Sequence, residues 1–266
     1  VGAFPFEEDK TTNRMKALLE ILNLKVGYRS KEEERALISH FNAEIGKGEI
    51  IAILGLNGCG KTSLIKTIRG ELNALDGRIA IEGRDFSDLR ADEIAKKIAS
   101  VSTYYENPGQ IRVEELIGFG RYPFTGRLHF LKEEDIELIE SAISRVGIED
   151  LRHRTVEELS DGERQKVMLA CAFAQDTPLL ILDEPSSHLD VRNKLAIMDL
   201  IRKFARDENK SILFSSHDLG LVKNVASRIW LIHEGQLKDE SIDQFLQNKS
   251  WKPLLEGIDE DVINWL

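Results

Sequence analysis

No apolar run in this 266-residue sequence approaches the roughly 18–20 residues that cross a bilayer, and none near its start reads as a secretory leader. Any work at a membrane is therefore expected from the side, on a partner. Cysteine is scarce: Cys59 and Cys171 stand alone, neither belongs to a Cys-x-x-Cys pair, and free thiols in a reducing compartment are the expectation. Positive charge is in deficit, with 36 Lys and Arg against 46 Asp and Glu and a net charge of −10. That balance argues against a broad surface for nucleic acid or anionic lipid, so no nucleic-acid partner is expected. Hydrophobic residues (42%) and charged residues (31%) stand at the levels of a folded globular protein. The length suits one large domain with a subdomain.

Residues 1–15 lack pattern and are expected as a flexible tail. Apolar strand candidates then alternate with helical stretches. ALLEILNLKV (17–26) and RALISHFNAEI (35–45) flank a charged turn, and IIAIL (50–54) is a short run ending in glycine, as a buried strand should be. GRIAIEG (77–83), LLILD (179–183), SILFS (211–215) and RIWLI (228–232) complete the set. Ile136, Ile139, Ile143 and Val146 form one stripe at helical spacing, and Leu195, Met198, Ile201 and Phe204 a second; both are expected as core faces. Buried strands separated by helices predict an α/β fold with a mainly parallel core sheet. Strand signals vanish between about 103 and 175, which predicts an inserted helical subdomain.

The strongest local signal is GLNGCGKTS, residues 55–63, placed between the IIAIL strand and a helical stretch. It fits G-x-x-x-x-G-K-[ST], the Walker A phosphate loop, in the strand–loop–helix context the motif requires. Gly55, Gly58 and Gly60 let the backbone curl, so that N–H groups of the loop, through Leu56, Asn57 and Cys59, face a polyphosphate. Lys61 adds a point charge for the β- and γ-phosphates, the Thr62 hydroxyl is a ligand for Mg²⁺, and Ser63 completes the run. In LLILDEP (179–185) four apolar residues deliver Asp183 to the exposed end of a strand, a second position for Mg²⁺, with Glu184 as candidate general base. LSDGERQ (159–165) opens another helix, and Ser160 with Glu163 is the capping-box pattern. A helix N-terminus so built is also a ready anion site.

The order of GLNGCGKTS, LSDGERQ, LLILDEP, SSHLD (186–190) and the histidine of FSSHD (214–218) resembles the ATP-binding subunits of ABC transporters, from about residue 16 to 240. That resemblance implies a P-loop NTPase core with an antiparallel β subdomain and the inserted helical subdomain, and leaves 241–266 as a short C-terminal extension. It further implies ATP and Mg²⁺ as cofactors and a homodimer sandwiching two ATP molecules head to tail. Ser160, Asp161, Gly162 and Glu163 would then face the partner's ATP, His217 would contact the γ-phosphate, Asp190 would end a loop across the dimer interface, and Tyr28 would stack on adenine. The partners implied are an integral membrane permease and, indirectly, a substrate-binding protein, with the chain peripheral on the cytoplasmic face. The stretch VEELIGFGRYPFTGRLHF (113–130) resembles the branch that imports iron–siderophore complexes, haem and vitamin B12.

Two departures from the family pattern matter. Asp161 and Glu163 replace the glycine and glutamine of LSGGQ; their side chains are expected to point away, Glu163 being taken up by the capping box. Where the family places a Mg²⁺-contacting glutamine, the alignment puts Thr103, with Gln110 seven residues later as a weak substitute. Two rival readings stay open: a soluble ABC-type ATPase acting on nucleic acid, ribosomes or cluster assembly, and an ATP-binding regulatory module with little turnover.

Overall fold

The computed structural model describes residues 17–31, 33–102, 109–126 and 130–255; the tail expected at 1–15 and the end of the extension, from 256, lie outside them. The chain opens with β1 (Leu19–Arg29), β2 (Glu34–Ile45) and β3 (Ile50–Gly55), followed by α1 (Lys61–Ile68). Next come β4 (Asp76–Ile81), β5 (Arg84–Asp85), α2 (Ala91–Ala95) and β6 (Ile98–Val101). A helical stretch holds α3 (Val113–Gly118), a 3-10 segment (Phe119–Phe124), α4 (Glu133–Val146) and α5 (Asp161–Gln175). The chain then returns through β7 (Leu179–Leu182), α6 (Val191–Glu208), β8 (Ser211–Ser215), α7 (Leu219–Val222), β9 (Arg228–His233), β10 (Gln236–Ser241) and α8 (Ile242–Gln247). A 3-10 turn, Lys252–Leu255, ends the described residues.

Two sheets divide these strands. β2-β1-β4-β5 form an antiparallel sheet, while the second runs β10-β9-β3-β8-β7-β6 and is parallel except at β10. Alternation along the parallel strands explains their unbroken apolar runs. Ile51 and Ile53 of β3 face a core shared with β1, β2 and α1; Ala52 and Leu54 face the core of the helical stretch, α6 and α8. Both faces are covered, as a parallel sheet requires. Pairing of Ile53 with Ser215 and of Leu182 with Phe214 brings the carboxyl ends of β3, β8 and β7 level at one rim. In open α/β sheets that rim is where ligands bind.

Three expectations need correction or extension. Ile136 is 50% exposed and Leu195 55%, so the first residue of each apolar stripe is surface, not core; both lie near the N-terminal ends of their helices, before the buried residues Ile139, Ile143 and Val146 of α4 and Met198, Ile201 and Phe204 of α6. β10 carries no sequence signal because QLKDES is a polar edge strand supported mainly by its pairing with β9. Past residue 240 the chain is still part of the core: Phe245 is wholly buried, and Trp251 and Leu254 pack on the same cluster.

Candidate functional site

The loop 55–60 leaves β3 at the rim and enters α1 at Lys61. Gly60 has φ 111°, and Gly55 has no room for a side chain: an added Cβ would lie 2.5 Å from Cys59 Sγ and 2.7 Å from the Ile232 carbonyl. Glycine is therefore demanded once by backbone angle and once by close approach. Lys61 is buried, its Nζ donating to the carbonyls of Gly55 (2.8 Å) and Leu56 (3.2 Å), so the loop holds its own cation in place. Burial pushes the Cys59 thiol above its ordinary range, the neighbouring Lys61 charge opposing this. Tyr28, half exposed at the end of β1, shares a 2.9 Å hydrogen bond between its hydroxyl and Ser63 Oγ.

Asp183 and Glu184 follow β7 directly. Asp183 is 7% exposed and accepts a 2.6 Å hydrogen bond from the Ser215 hydroxyl, and the same Ser215 oxygen accepts from the Glu184 N–H at 2.8 Å. Ser215, at the end of β8, thus fixes one carboxylate by its side chain and the other by its backbone. Glu184 has φ 48°, a left-handed conformation that costs a non-glycine residue about 1–3 kcal/mol and must be held by its surroundings. His217 Nδ1 stands 3.6 Å from Glu184 Oε2, adjacent but beyond hydrogen-bond length.

These residues surround two lobes of one cleft. The first, about 530 Å³, is lined by Tyr28, Arg35, Leu37, Gly58, Gly60, Lys61, Thr62, Ser63 and Asp183. The second, about 610 Å³, is lined by Leu54, Gly55, Leu56, Ser187, His217 and Leu254. Asn57, Glu184 and His188 line both. A buried ammonium, a glycine-rich loop at a helix start and two carboxylates on an apolar floor suit a magnesium polyphosphate. Thr62 and Asp183 fit a hard divalent cation, which takes one or two protein oxygens and fills its shell with phosphate and water. No cluster of three or more metal-ligating His, Cys, Asp or Glu side chains occurs among the described residues. Thr103 lies outside the described residues, and Gln110 is exposed and lines neither lobe.

Ser160, Asp161, Gly162 and Glu163 line neither lobe. Ser160 caps α5, and its hydroxyl donates to Glu163 Oε2 at 2.7 Å while its N–H donates to the same oxygen at 2.8 Å. Those two donors hold the Glu163 carboxyl below the usual carboxylate range. Asp161 points outward, its side chain 76% exposed and 3.3 Å from Arg164. Gly162 is buried, and a Cβ there would lie 2.9 Å from Asn193 Nδ2. Asn193 in turn donates from its backbone (2.8 Å) and side chain (2.9 Å) to Asp190, the cap of α6. The start of the signature helix and the loop ending at Asp190 are therefore one packed unit.

Sequence reasoning passed over Ser215, Asn193, Arg35 and His188. Ser215 left one trace, a polar residue closing an apolar strand. Arg35 and His188 reach the cleft lining, and Asn193 reaches Gly162, only through the fold.

A family model described as ABC transporter matches residues 38–187. An uncharacterized ABC transporter ATP-binding protein of Methanocaldococcus jannaschii is 38% identical over 215 residues, covering 81% of this chain and 73% of that one. The iron(3+)-hydroxamate import ATP-binding protein of Bacillus subtilis is 34% identical over 186 residues, covering 70% and 69%. The structure of cbiO1 from Clostridium perfringens, part of an ABC transporter complex, superposes with a TM-score of 0.77 at 25% identity, covering 88% and 92%. Similarity of this depth, over a phosphate loop and rim already in place, identifies the chain as belonging to the ABC transporter family, as an ATP-binding and ATP-hydrolysing cassette.

Proposed function

We propose that two copies of the chain close head to tail around two ATP–Mg²⁺ and so drive a membrane permease that imports an iron–siderophore, haem or cobalamin cargo handed over by a substrate-binding protein. The observation that carries the closure is the position of α5. Its capped N-terminus is formed with Ser160 exposed, yet Ser160 and Gly162 line no part of their own chain's cleft, which supports a role toward the ATP of a second copy.

Within one cleft, Tyr28 flanks the base, and the loop N–H groups with Lys61 bind the phosphates. Glu184, held by Ser215, accepts a proton from the attacking water, whose oxygen bonds to the γ-phosphorus as the bond to the β-phosphate oxygen breaks and ADP leaves. His217, beside Glu184, orients that water and the γ-phosphate. Thr62 and Asp183 would hold Mg²⁺, which when bound neutralises charge on the β- and γ-phosphates.

The importer reading is supported by the iron(3+)-hydroxamate import relative. A side-on place at the cytoplasmic face fits the absence, among the described residues, of any helix long and apolar enough to cross a membrane. The docking face is supported by the exposed Phe119, Tyr122, Phe130, Leu131 and Ile136 of the helical region.

An affinity pull-down from the host's membranes in mild detergent, with mass spectrometry, tests the partner. A polytopic permease is the expected catch; ribosomal, nucleic-acid or cluster-assembly proteins without one would overturn the importer reading. Phosphate release by the parent, lost in Glu184→Gln, tests the hydrolytic assignment.

A further inference from the structure

Arg121 sits in the 3-10 segment Phe119–Phe124 but faces away from its neighbours' side of it. Phe119 and Tyr122 are 39% and 41% exposed, their rings tilted together at 4.8 Å. Between them Arg121 is only 6% exposed and turns inward. Its Nε donates to Asp135 Oδ1 at 2.9 Å, and its Nη1 donates to the carbonyls of Ala174 (2.9 Å) and Gln175 (3.0 Å), the last residues of α5. Asp135 is itself engaged, its other oxygen accepting from the Lys132 N–H at 2.9 Å at the start of α4. Burial pushes the Asp135 carboxyl up, but the Lys132 N–H and Arg121 outweigh it and hold it below the ordinary range. One guanidinium thus joins the 3-10 segment, the start of α4 and the end of α5.

The backbone is as closely fitted as the side chain. A Cβ on Gly120 would lie 2.4 Å from the Cys171 carbonyl, so the segment lies directly on the α5 backbone. At the same helix end, Gln175 Nε2 donates to the carbonyls of Ala95 (2.6 Å) and Ile98 (3.3 Å), next to β6. A cation at a helix C-terminus is favourable, and its fork satisfies carbonyls that have no partner in the helix. Stability alone does not call for this device, since well-packed apolar side chains commonly serve a buried position equally well. What an arginine adds is a fixed spacing between three elements.

The other end of α5 is Ser160 and Gly162. The helix has 15 residues and is about 22 Å long, so its two ends move as one body. We infer that Arg121 is a positioning residue that fastens the exposed Phe119–Tyr122 face to the C-terminal end of α5, so that the state of that face and the placement of Ser160 and Gly162 against the partner's ATP are one mechanical variable. The inference rests on the head-to-tail closure proposed above. It concerns a residue remote from the nucleotide that lines neither lobe of the cleft.

The test uses the full chain in a Glu184→Gln background, which holds ATP without turnover. Amide hydrogen exchange is followed at residues 119–124 and 55–63, with and without ATP–Mg²⁺, while light scattering records dimerisation. In the parent, ATP should form the dimer and slow exchange at 119–124 by about threefold or more, although that segment touches no nucleotide. Arg121→Lys keeps a charge beside Asp135 but loses the fork. It should abolish the ATP-dependent change at 119–124 and leave the change at 55–63. Asp135→Asn, which retains a side-chain oxygen for the Lys132 N–H, should act in the same direction and covers a poorly folding Arg121→Lys. An unaltered ATP response at 119–124 in both variants, or no response there in a parent that dimerises, overturns the inference. A parent that binds ATP but forms no dimer overturns the head-to-tail reading instead.

Discussion

At the scale of single residues, the two acidic residues proposed for hydrolysis lean on one hydroxyl, that of Ser215. Ser215 serves Asp183 and Glu184 together, 31 positions from Glu184 in the chain. Ser215→Ala removes the hydroxyl that donates to Asp183 and accepts from the Glu184 N–H. It should lower stability by about 1–3 kcal/mol. Phosphate release should fall at least tenfold, and binding of a fluorescent ATP analogue should change far less, because the phosphate loop is untouched. Full turnover in Ser215→Ala would remove that residue from the hydrolytic machinery. The strand–loop–helix geometry around Gly55 to Ser63 was legible because all its parts are contiguous. Ser215 was not, since Asp183 and Glu184 are distant in sequence, and neither were the approach of Asn193 to Gly162 and the place of Arg35 in the cleft lining, which only the fold supplies.

Glu163 gives a second prediction at this scale. Its carboxylate takes the hydrogen of the Ser160 hydroxyl, which is then not free for a phosphate. Glu163→Gln removes that charge and should tighten ATP-driven dimerisation severalfold, read by light scattering at graded ATP. The pH dependence follows from the lowered pKa. The stability Glu163 contributes is fully present above its unfolded value near 4.5 and is lost as pH falls through the lower folded value. The gap in thermal midpoint between parent and Glu163→Gln should therefore shrink on acidification through that window. The Asp161 side chain points outward, as expected from the sequence.

Elements tell a more even story. Parallel strands were readable as unbroken apolar runs because both their faces are covered, and β8 falls on the residues predicted, Ser211–Ser215. β10 was not, since an antiparallel edge strand buries little and its sequence stays polar. The apolar stripes of α4 and α6 were read one turn too far, into Ile136 and Leu195, because periodicity reports the direction of a face and not where its cover ends. Between α5 and α6, Gly162 and Asn193 set the spacing. Gly162→Ala places a methyl against Asn193 and should displace the Asp190 cap, weakening ATP-driven dimerisation about tenfold or more while ATP binding by the single chain holds. Equal dimerisation in Gly162→Ala would show that the two helices are free to part. The C-terminal residues were assigned only to an extension, and their packing through Phe245, Trp251 and Leu254 was invisible in a sparse apolar pattern.

For the whole molecule, the net charge of −10 bears on the head-to-tail closure proposed above. Like-charged chains repel over distances that salt screens, about 10 Å at 0.1 M and less above it. The ATP-driven dimer should therefore tighten severalfold between about 0.05 and 0.3 M salt, measured by sedimentation. Weakening with salt would mean that local charge complementarity across the interface outweighs the net repulsion.

Trp251 lies three residues before Leu254, which lines the lobe holding Glu184 and His217. Its half-buried indole is packed on the core at that edge, whereas Trp230 is wholly enclosed in the other core. An indole in such a place turns the proposed closure into an optical signal: its emission shifts to shorter wavelength when water leaves the lobe, and Trp251→Phe, which keeps Trp230 and Trp265, isolates its share. The ATP-dependent shift should vanish in Trp251→Phe. The cassette thus carries a native fluorophore near the lobe that Glu184 and His217 line, and the proposed closing can be timed by stopped flow without a dye.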